Sequence, residues 1–329
     1  MFIQQYELWQ TCNNNCEFCF NKELACKLLP KQQEDSLLAV YNDLDNLVAK
    51  HGGNLSIELI GGEFFQGQLS TERVRDLFFS VITKIKSFSD KGLINQVVIF
   101  VTLTIGSQKD LYSTLDILTT NKNKDFEVWV STSYDTRGRF DTKNKLDTWH
   151  KNMLYLSKLD SIYRNTTIIF TQDFVDKVLS GELNLKEFIE KYRTTLFFKH
   201  PMPNLINTVN RDKLIKENLS EQDMYTIAKK ECLKEMDWFL PERDKSIQVM
   251  CILKEQGLLS KFMDLGLRAD NLFRQYNVNT GWDKTIRDKN KHIESFDEDV
   301  SECGHLIPYR CYSDSDKCII CDKENLLDD

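Results

Sequence analysis

Apolar residues along this chain recur with two alternating periods. Short runs rich in Val, Ile, Phe and Thr are separated by longer stretches in which apolar positions return every three or four residues, as on one face of a helix. The pattern predicts strands at 2–11, 55–60, 96–104, 126–133, 166–171 and 194–199, and helices at 35–51, 71–88, 108–120, 142–159 and 184–192. In the first helix Leu37, Tyr41, Leu44 and Val48 form the face to be buried, Asp43, Asp45 and Lys50 lie outside it, and Gly52-Gly53 ends it. Six strands in strict β-then-α order predict an α/β fold, a parallel sheet covered by helices with right-handed crossovers. From about residue 204 the pattern changes. Residues 212–275 read as mainly helical, with Ser220 capping 221–234 and a break at Pro241, and no strand alternation persists.

Composition narrows this picture. The 329 residues are 41% hydrophobic and include 20 Phe, 11 Tyr and 5 Trp, enough for one barrel-sized core with a smaller appendage. Only 13 Gly and 5 Pro argue against disordered tracts. The formal net charge is −7 and no block of Lys and Arg occurs, which disfavours nucleic acid, whose binding draws on phosphate neutralisation. The start Met1-Phe2-Ile3-Gln4-Gln5 lacks the charged-then-apolar pattern of a signal peptide. No apolar run approaches the ~18 residues that span a bilayer. The expectation is a cytoplasmic protein without membrane contact.

The ten cysteines are unevenly placed. Cys12, Cys16, Cys19 and Cys26 lie at one end, Cys303, Cys311, Cys318 and Cys321 at the other, with Cys232 and Cys251 between. In a reducing compartment disulfides are disfavoured, so two groups read as two metal sites. Cys12-x3-Cys16-x2-Cys19 follows the first strand, at the strand end where parallel α/β folds bind ligands. Three thiolates on one tight loop can hold three corners of a cubic [4Fe-4S] cluster and leave its fourth iron open, unlike the four-cysteine sets of electron-transfer clusters. Structural zinc with a remote fourth ligand, or three buried thiols, are the competing readings. The terminal set closes with a CxxC and has His305 as a substitute ligand; zinc and iron–sulfur both accept four thiolates.

Other strand ends carry polar chemistry. Gly61-Gly62-Glu63 ends the second strand, where two glycines admit close backbone approach and the carboxylate can hold an ammonium group; a plain turn is the competing reading, and the placement at the strand end after the cysteine loop is what singles it out. After the fourth strand, Ser133 and Asp135 can hydrogen-bond a ribose, and Arg137 or Arg139 can pair with a carboxylate. A solvated turn is the alternative for this loop. Thr171, Gln172 and His200 are further pocket candidates at the fifth and sixth strand ends, with capping or packing as the competing role of His200.

With these residues in hand, the sequence resembles the radical S-adenosylmethionine (SAM) enzymes. Their Cys-x3-Cys-x2-Cys signature, with an aromatic residue before the last cysteine, is matched by Cys12, Cys16, Cys19 and Phe18, and their Gly-Gly-Glu by Gly61, Gly62 and Glu63. The resemblance spans about residues 1–203 and implies a partial (β/α)6 TIM-like barrel, followed by a helical connector at 204–300 and a cysteine-rich metal-binding tail at 301–329. It implies a [4Fe-4S] cluster on Cys12, Cys16 and Cys19, with SAM chelating the open iron. Phe18 would lie beside the adenine, Gly61, Gly62 and Glu63 would contact the methionyl amine, and Ser133 and Asp135 fall where ribose or carboxylate contacts are often placed. Reduction of the cluster, by a reductase or a flavodoxin- or ferredoxin-type donor, would cleave SAM to methionine and a 5′-deoxyadenosyl radical that abstracts hydrogen from substrate. The tail is similar to SPASM or twitch extensions but shorter, which implies one second centre on Cys303, Cys311, Cys318 and Cys321.

Three functions follow. The first is radical modification of a peptide or protein side chain. The second is modification of a nucleotide or small metabolite, with a zinc tail as a clasp. The third is a non-catalytic Fe-S binding protein. Anaerobic reconstitution with iron, sulfide and zinc counting distinguishes the forms of the second centre: iron beyond one cluster per chain is expected, and four irons with one zinc would exclude an auxiliary cluster.

Overall fold

The computed structural model describes residues 1–8, 12, 14, 16, 17, 30–61, 63, 65, 69, 71–104, 108–140, 142–199, 237–239, 242–256 and 275–276. Its elements run β1 (Phe2–Glu7), α1 (Pro30–His51), β2 (Leu55–Ile60), α2 (Glu72–Asp90), β3 (Gln96–Phe100), α3 (Lys109–Thr119) and β4 (Glu127–Ser133). They continue as α4 (Lys143–Leu156), β5 (Tyr163–Ile169), α5 (Gln172–Leu179), α6 (Leu185–Tyr192), β6 (Thr195–Lys199), α7 (Arg243–Glu255) and β7 (Gln275–Tyr276). The sheet order is β6-β5-β4-β3-β2-β1-β7, and every adjacent pair is parallel. The predicted α/β class with six strands alternating with helices is what the fold shows, and the order is compatible with a partial TIM-like fold.

Chain order within the sheet dictates its two faces. When each strand lies beside its predecessor, crossovers of one hand put every helix on the same side. The register places Tyr6, Leu59, Ile99 and Val130 on that side; all are buried, and they pack with Leu44, Phe78, Ile82 and Leu115 in one core. Tyr6 Oη donates to Asp43 Oδ2 of α1 at 2.8 Å, and Trp149 Nε1 of α4 donates to Thr132 Oγ1 at 3.2 Å. The opposite face carries rows of polar side chains beside Val98 and Phe100. Gln5 Nε2 donates to Glu58 Oε2 at 3.0 Å, Ser56 Oγ to Gln96 Oε1 at 2.9 Å, and Gln96 Nε2 to Glu127 Oε2 at 2.9 Å. Trp129 donates to the same Glu127 oxygen and stacks on Tyr163, with ring centroids 4.8 Å apart. The central strands β2 to β4 therefore separate an apolar helix side from a side that carries hydrogen-bonded polar rows.

Local chemistry explains the element ends. Thr71, Thr142, Thr171 and Asn184 accept from backbone N–H groups in the first turns of α2, α4, α5 and α6. Gly53, at φ +87, takes the left-handed turn that ends α1.

Several expectations need correction. The first strand ends at Glu7 rather than 11, and α1 begins at Pro30 rather than 35. Tyr41 is 37% exposed under Lys84; Val40 takes the buried place, because the helix turns its stripe through Leu37, Val40, Leu44 and Leu47. The third strand stops at Phe100, and the fifth runs Tyr163–Ile169, earlier than expected. α5 was not foreseen: the polar residues Gln172, Asp173, Asp176 and Lys177 hide a short apolar face of Phe174, Val175 and Val178. Thr171 caps this helix, and Gln172 braces it by donating to Asp176 and accepting from Glu242 N, so neither serves as a pocket residue in that arrangement. Beyond 204 the chain is not without strands, since β7 pairs with the outer edge of β1. α7 packs on α5. Helix 221–234, His200 and the segment 301–329 lie outside the described residues.

The corrected stripe has a measurable consequence. Leu44→Ala is expected to lower unfolding stability by about 2–5 kcal/mol in urea titrations. Tyr41→Ala, which loses an exposed cation–π contact, is expected to cost only about 0.5–1 kcal/mol. Equal losses would restore Tyr41 to the core.

Candidate functional site

The C-terminal ends of β1 to β4 lie side by side, and the loops leaving them are tied together by hydrogen bonds. Cys12 is half-buried and Cys16 is 5% exposed, and neither is in a disulfide. Gly61 and Ser133 are half-buried at the ends of β2 and β4, whereas Glu63 and Asp135 are only 2% and 3% exposed. Phe18, Cys19 and Gly62 lie outside the described residues, as do Cys303, Cys311, Cys318 and Cys321. Among the described residues no three Cys, His, Asp or Glu side chains gather as a metal set.

Glu63 is committed to the protein's own donors. Its Oε1 accepts from Phe65 N at 3.0 Å, and its Oε2 accepts from both the backbone N and the hydroxyl of Thr102, the latter at 2.7 Å. Thr102 Oγ1 lies 3.1 Å from Thr104 Oγ1, which in turn donates to Asn14 Oδ1 at 3.0 Å. Between the two threonines Leu103 is left-handed, at φ 58, a costly conformation for a branched residue. This kink brings together two hydroxyls that an extended strand would hold a full repeat apart. Burial of Leu103 and the bond from Asn152 Nδ2 to its carbonyl, 2.9 Å, hold it there. Glu63 at the end of β2 thus reaches the cysteine loop through the extension of β3.

Asp135 works in the same way from the other side. Its Oδ1 accepts from Ile169 N at 2.8 Å, joining β4 to the end of β5, and its Oδ2 holds Arg139 in an ion pair. Arg139 Nη1 lies 3.9 Å from Cys16 Sγ, and the Arg139 carbonyl is at the same distance from that sulfur. Gly138, left-handed at φ +85, presents its carbonyl to Glu17 N at 2.9 Å. A side chain is strained in that conformation, so the glycine is what lets this loop meet the cysteine loop.

Below the loop lies an aromatic bed. Tyr134 packs on Trp149 and Phe188 with centroids 4.9 and 5.0 Å apart, and His150 stacks on Tyr192 and shares a hydrogen bond with its hydroxyl. Burial pushes the Tyr134 phenol up to about 12. On the outer side, Arg137 lies over Trp238, 5.0 Å from the ring centre, so one loop touches both the cysteine loop and the chain leading into α7.

Sequence reasoning named Cys12, Cys16, Glu63, Ser133 and Asp135 but missed Asn14, Thr102 and Thr104. A threonine at the end of a β-branched strand carries no local signal. Arg139 was noticed as a carboxylate partner; the carboxylate it finds is Asp135 of its own loop. Two described residues of the cysteine loop carry thiols, and two other side chains bear on that loop. Cys12 and Cys16 supply soft ligands, Arg139 supplies a cation beside one of them, and Asn14 Nδ2 is sealed from solvent with no partner among the described residues.

The aromatic bed should respond to pH. Burial first, and then nearby Lys191, hold the His150 imidazole below its ordinary value of 6.5, against the opposing pull of Asp147. The unfolded chain takes up this proton more readily, so the stabilisation is present above that value and is lost as pH falls through the folded one. His150→Phe is expected to flatten the fall in thermal midpoint between about pH 7 and pH 5. Parallel profiles for the two proteins would remove His150 as the cause.

No family model matches the chain and no curated protein matches it, so the chemistry of this rim is read from its own residues.

Proposed function

We propose that this protein is a radical SAM enzyme built on a partial (β/α)6 barrel, acting on a peptide or protein side chain. The observation carrying the reading is the convergence of the β2, β3 and β4 ends on the loop of Cys12 and Cys16. Cys12, Cys16 and Cys19 would hold the [4Fe-4S] cluster, and SAM would lie against Phe18, Gly61, Gly62, Glu63, Ser133 and Asp135. When bound, this pair supplies the electron and the scissile carbon–sulfur bond that yield a 5′-deoxyadenosyl radical for hydrogen abstraction. The protein's own part is positioning. Asp135 keeps a guanidinium beside Cys16, where it compensates the negative charge that thiolate ligation brings into a buried place. Glu63 holds Thr102, and Gly138 fixes the distance between the two loops. The net charge of −7 and the cysteine-rich tail favour a peptide over a polynucleotide. A second centre on Cys303, Cys311, Cys318 and Cys321, as Fe-S or zinc, belongs to the same reading.

One observation favours a second reading, an Fe-S protein without SAM cleavage. Both oxygens of Glu63 and both of Asp135 accept bonds from the chain itself, which is a structural use of the carboxylates assigned to the ligand. The reduced, reconstituted protein incubated anaerobically with SAM separates the two. Formation of 5′-deoxyadenosine well above a Cys16→Ala control is expected; a yield equal to that control in a protein that carries its cluster would establish the binding reading.

A further inference from the structure

We infer that Asn14 is a hydrogen-bond donor to the group held at the cysteine loop and sets its reduction potential, with Thr104 as the residue that positions it. The inference rests on the iron–sulfur reading of that loop. Asn14 lies midway between Cys12 and Cys16 in the sequence. Its backbone N–H points to Cys12 Sγ at 3.4 Å, so one of its donors already serves a sulfur. Its side-chain nitrogen is buried without a partner among the described residues. An amide N–H taken out of water and left unpaired is costly, and an absent ligand is one of the few physical reasons for such a donor to persist.

The Asn14 amide is held by its oxygen. Each threonine hydroxyl has a single proton. Thr102 gives its proton to the Glu63 carboxylate at 2.7 Å, and Thr104 gives its own to Asn14 Oδ1 at 3.0 Å. The carbonyl of Asn14 is the end that is held, and the nitrogen is the end left without a partner among the described residues. The left-handed Leu103 keeps Thr104 in reach, and Asn152 fixes Leu103 through its carbonyl. A device that spends backbone strain to orient one amide is hard to explain by stability alone.

Hydrogen bonds to cluster sulfurs stabilise the reduced, more negative state and raise the potential. Asn14→Leu, close in size but without a donor, is expected to leave about tenfold fewer reduced centres at a given potential, a fall of about 59 mV for a one-electron couple. Thr104→Val should lower the potential in the same direction, Thr104→Ser should restore it, and Asn14→Leu with Thr104→Val should fall no further than Asn14→Leu alone. The measurement is an EPR-monitored redox titration of the full-length, anaerobically reconstituted protein, with iron and sulfide counted in each variant. Unchanged potentials in variants that carry the wild-type complement of iron would overturn the role of Asn14 while leaving the cluster in place. A rise in Asn14→Leu would mean that the amide presents its oxygen, which also overturns it. A wild-type protein that binds no iron at these cysteines would remove the cluster reading and this inference with it.

Discussion

The parallel ladder in chain order is the constraint from which the other features follow. Because β2 to β6 each pair with their immediate predecessor, the crossovers between them lie on one side, and one face of these strands is committed to helices. The opposite face carries Gln5, Glu58, Gln96, Glu127 and Trp129 in hydrogen-bonded rows, so polar groups that are buried there, Gln5 and Glu58 among them, are satisfied within the sheet. The same order brings the C-terminal ends of β1 to β4 to neighbouring positions, so loops far apart in sequence meet there.

What meets there is a set of carboxylates used as struts. Glu63 and Asp135 each receive bonds from the backbone of the strand beside or beyond their own, and each passes orientation on to a second side chain, Thr102 in one case and Arg139 in the other. Buried carboxylates are tolerable only when their acceptors are filled, and both satisfy that condition from within the fold. The cysteine loop is consequently gripped on two sides, by Thr104 through Asn14 and by Gly138 and Arg139 through Glu17 and Cys16. Such a grip matters for any thiolate-held centre, because ligand geometry and local charge govern both affinity and potential.

Arg137 and Trp238 extend this connection outward. The chain that leaves the sheet after β6 returns at Trp238 to the loop that touches the cysteines, then packs α7 on α5, and reaches the β1 edge as β7. The connector is therefore in contact with the rim it follows.

Much of the fold was legible in the sequence. Periods of two and three to four residues located β2 to the residue and the other five long strands to within a few, and they gave the α/β order, because a strand or helix must bury one face whatever its partners are. Short α5 escaped for the same reason: eight residues with four polar positions offer too little periodicity to stand out. β7, two residues long, has no signal of its own and exists only because β1 leaves an edge to pair with. The cysteines were visible as chemistry through their spacing, and the glycine–glutamate turn through its place at the end of the strand that follows them. What they touch was not. The bond from Thr102 to Glu63 spans 39 residues and that from Thr104 to Asn14 spans 90, and contacts at such separations leave no mark on local composition. The chain by itself determined which residues bear chemistry and on which strands they sit. The tertiary structure alone decided which carboxylates became struts, which arginine faces a cysteine, and which amide of the cysteine loop has a donor without a partner among the described residues, because those outcomes depend on strands brought together by the ladder.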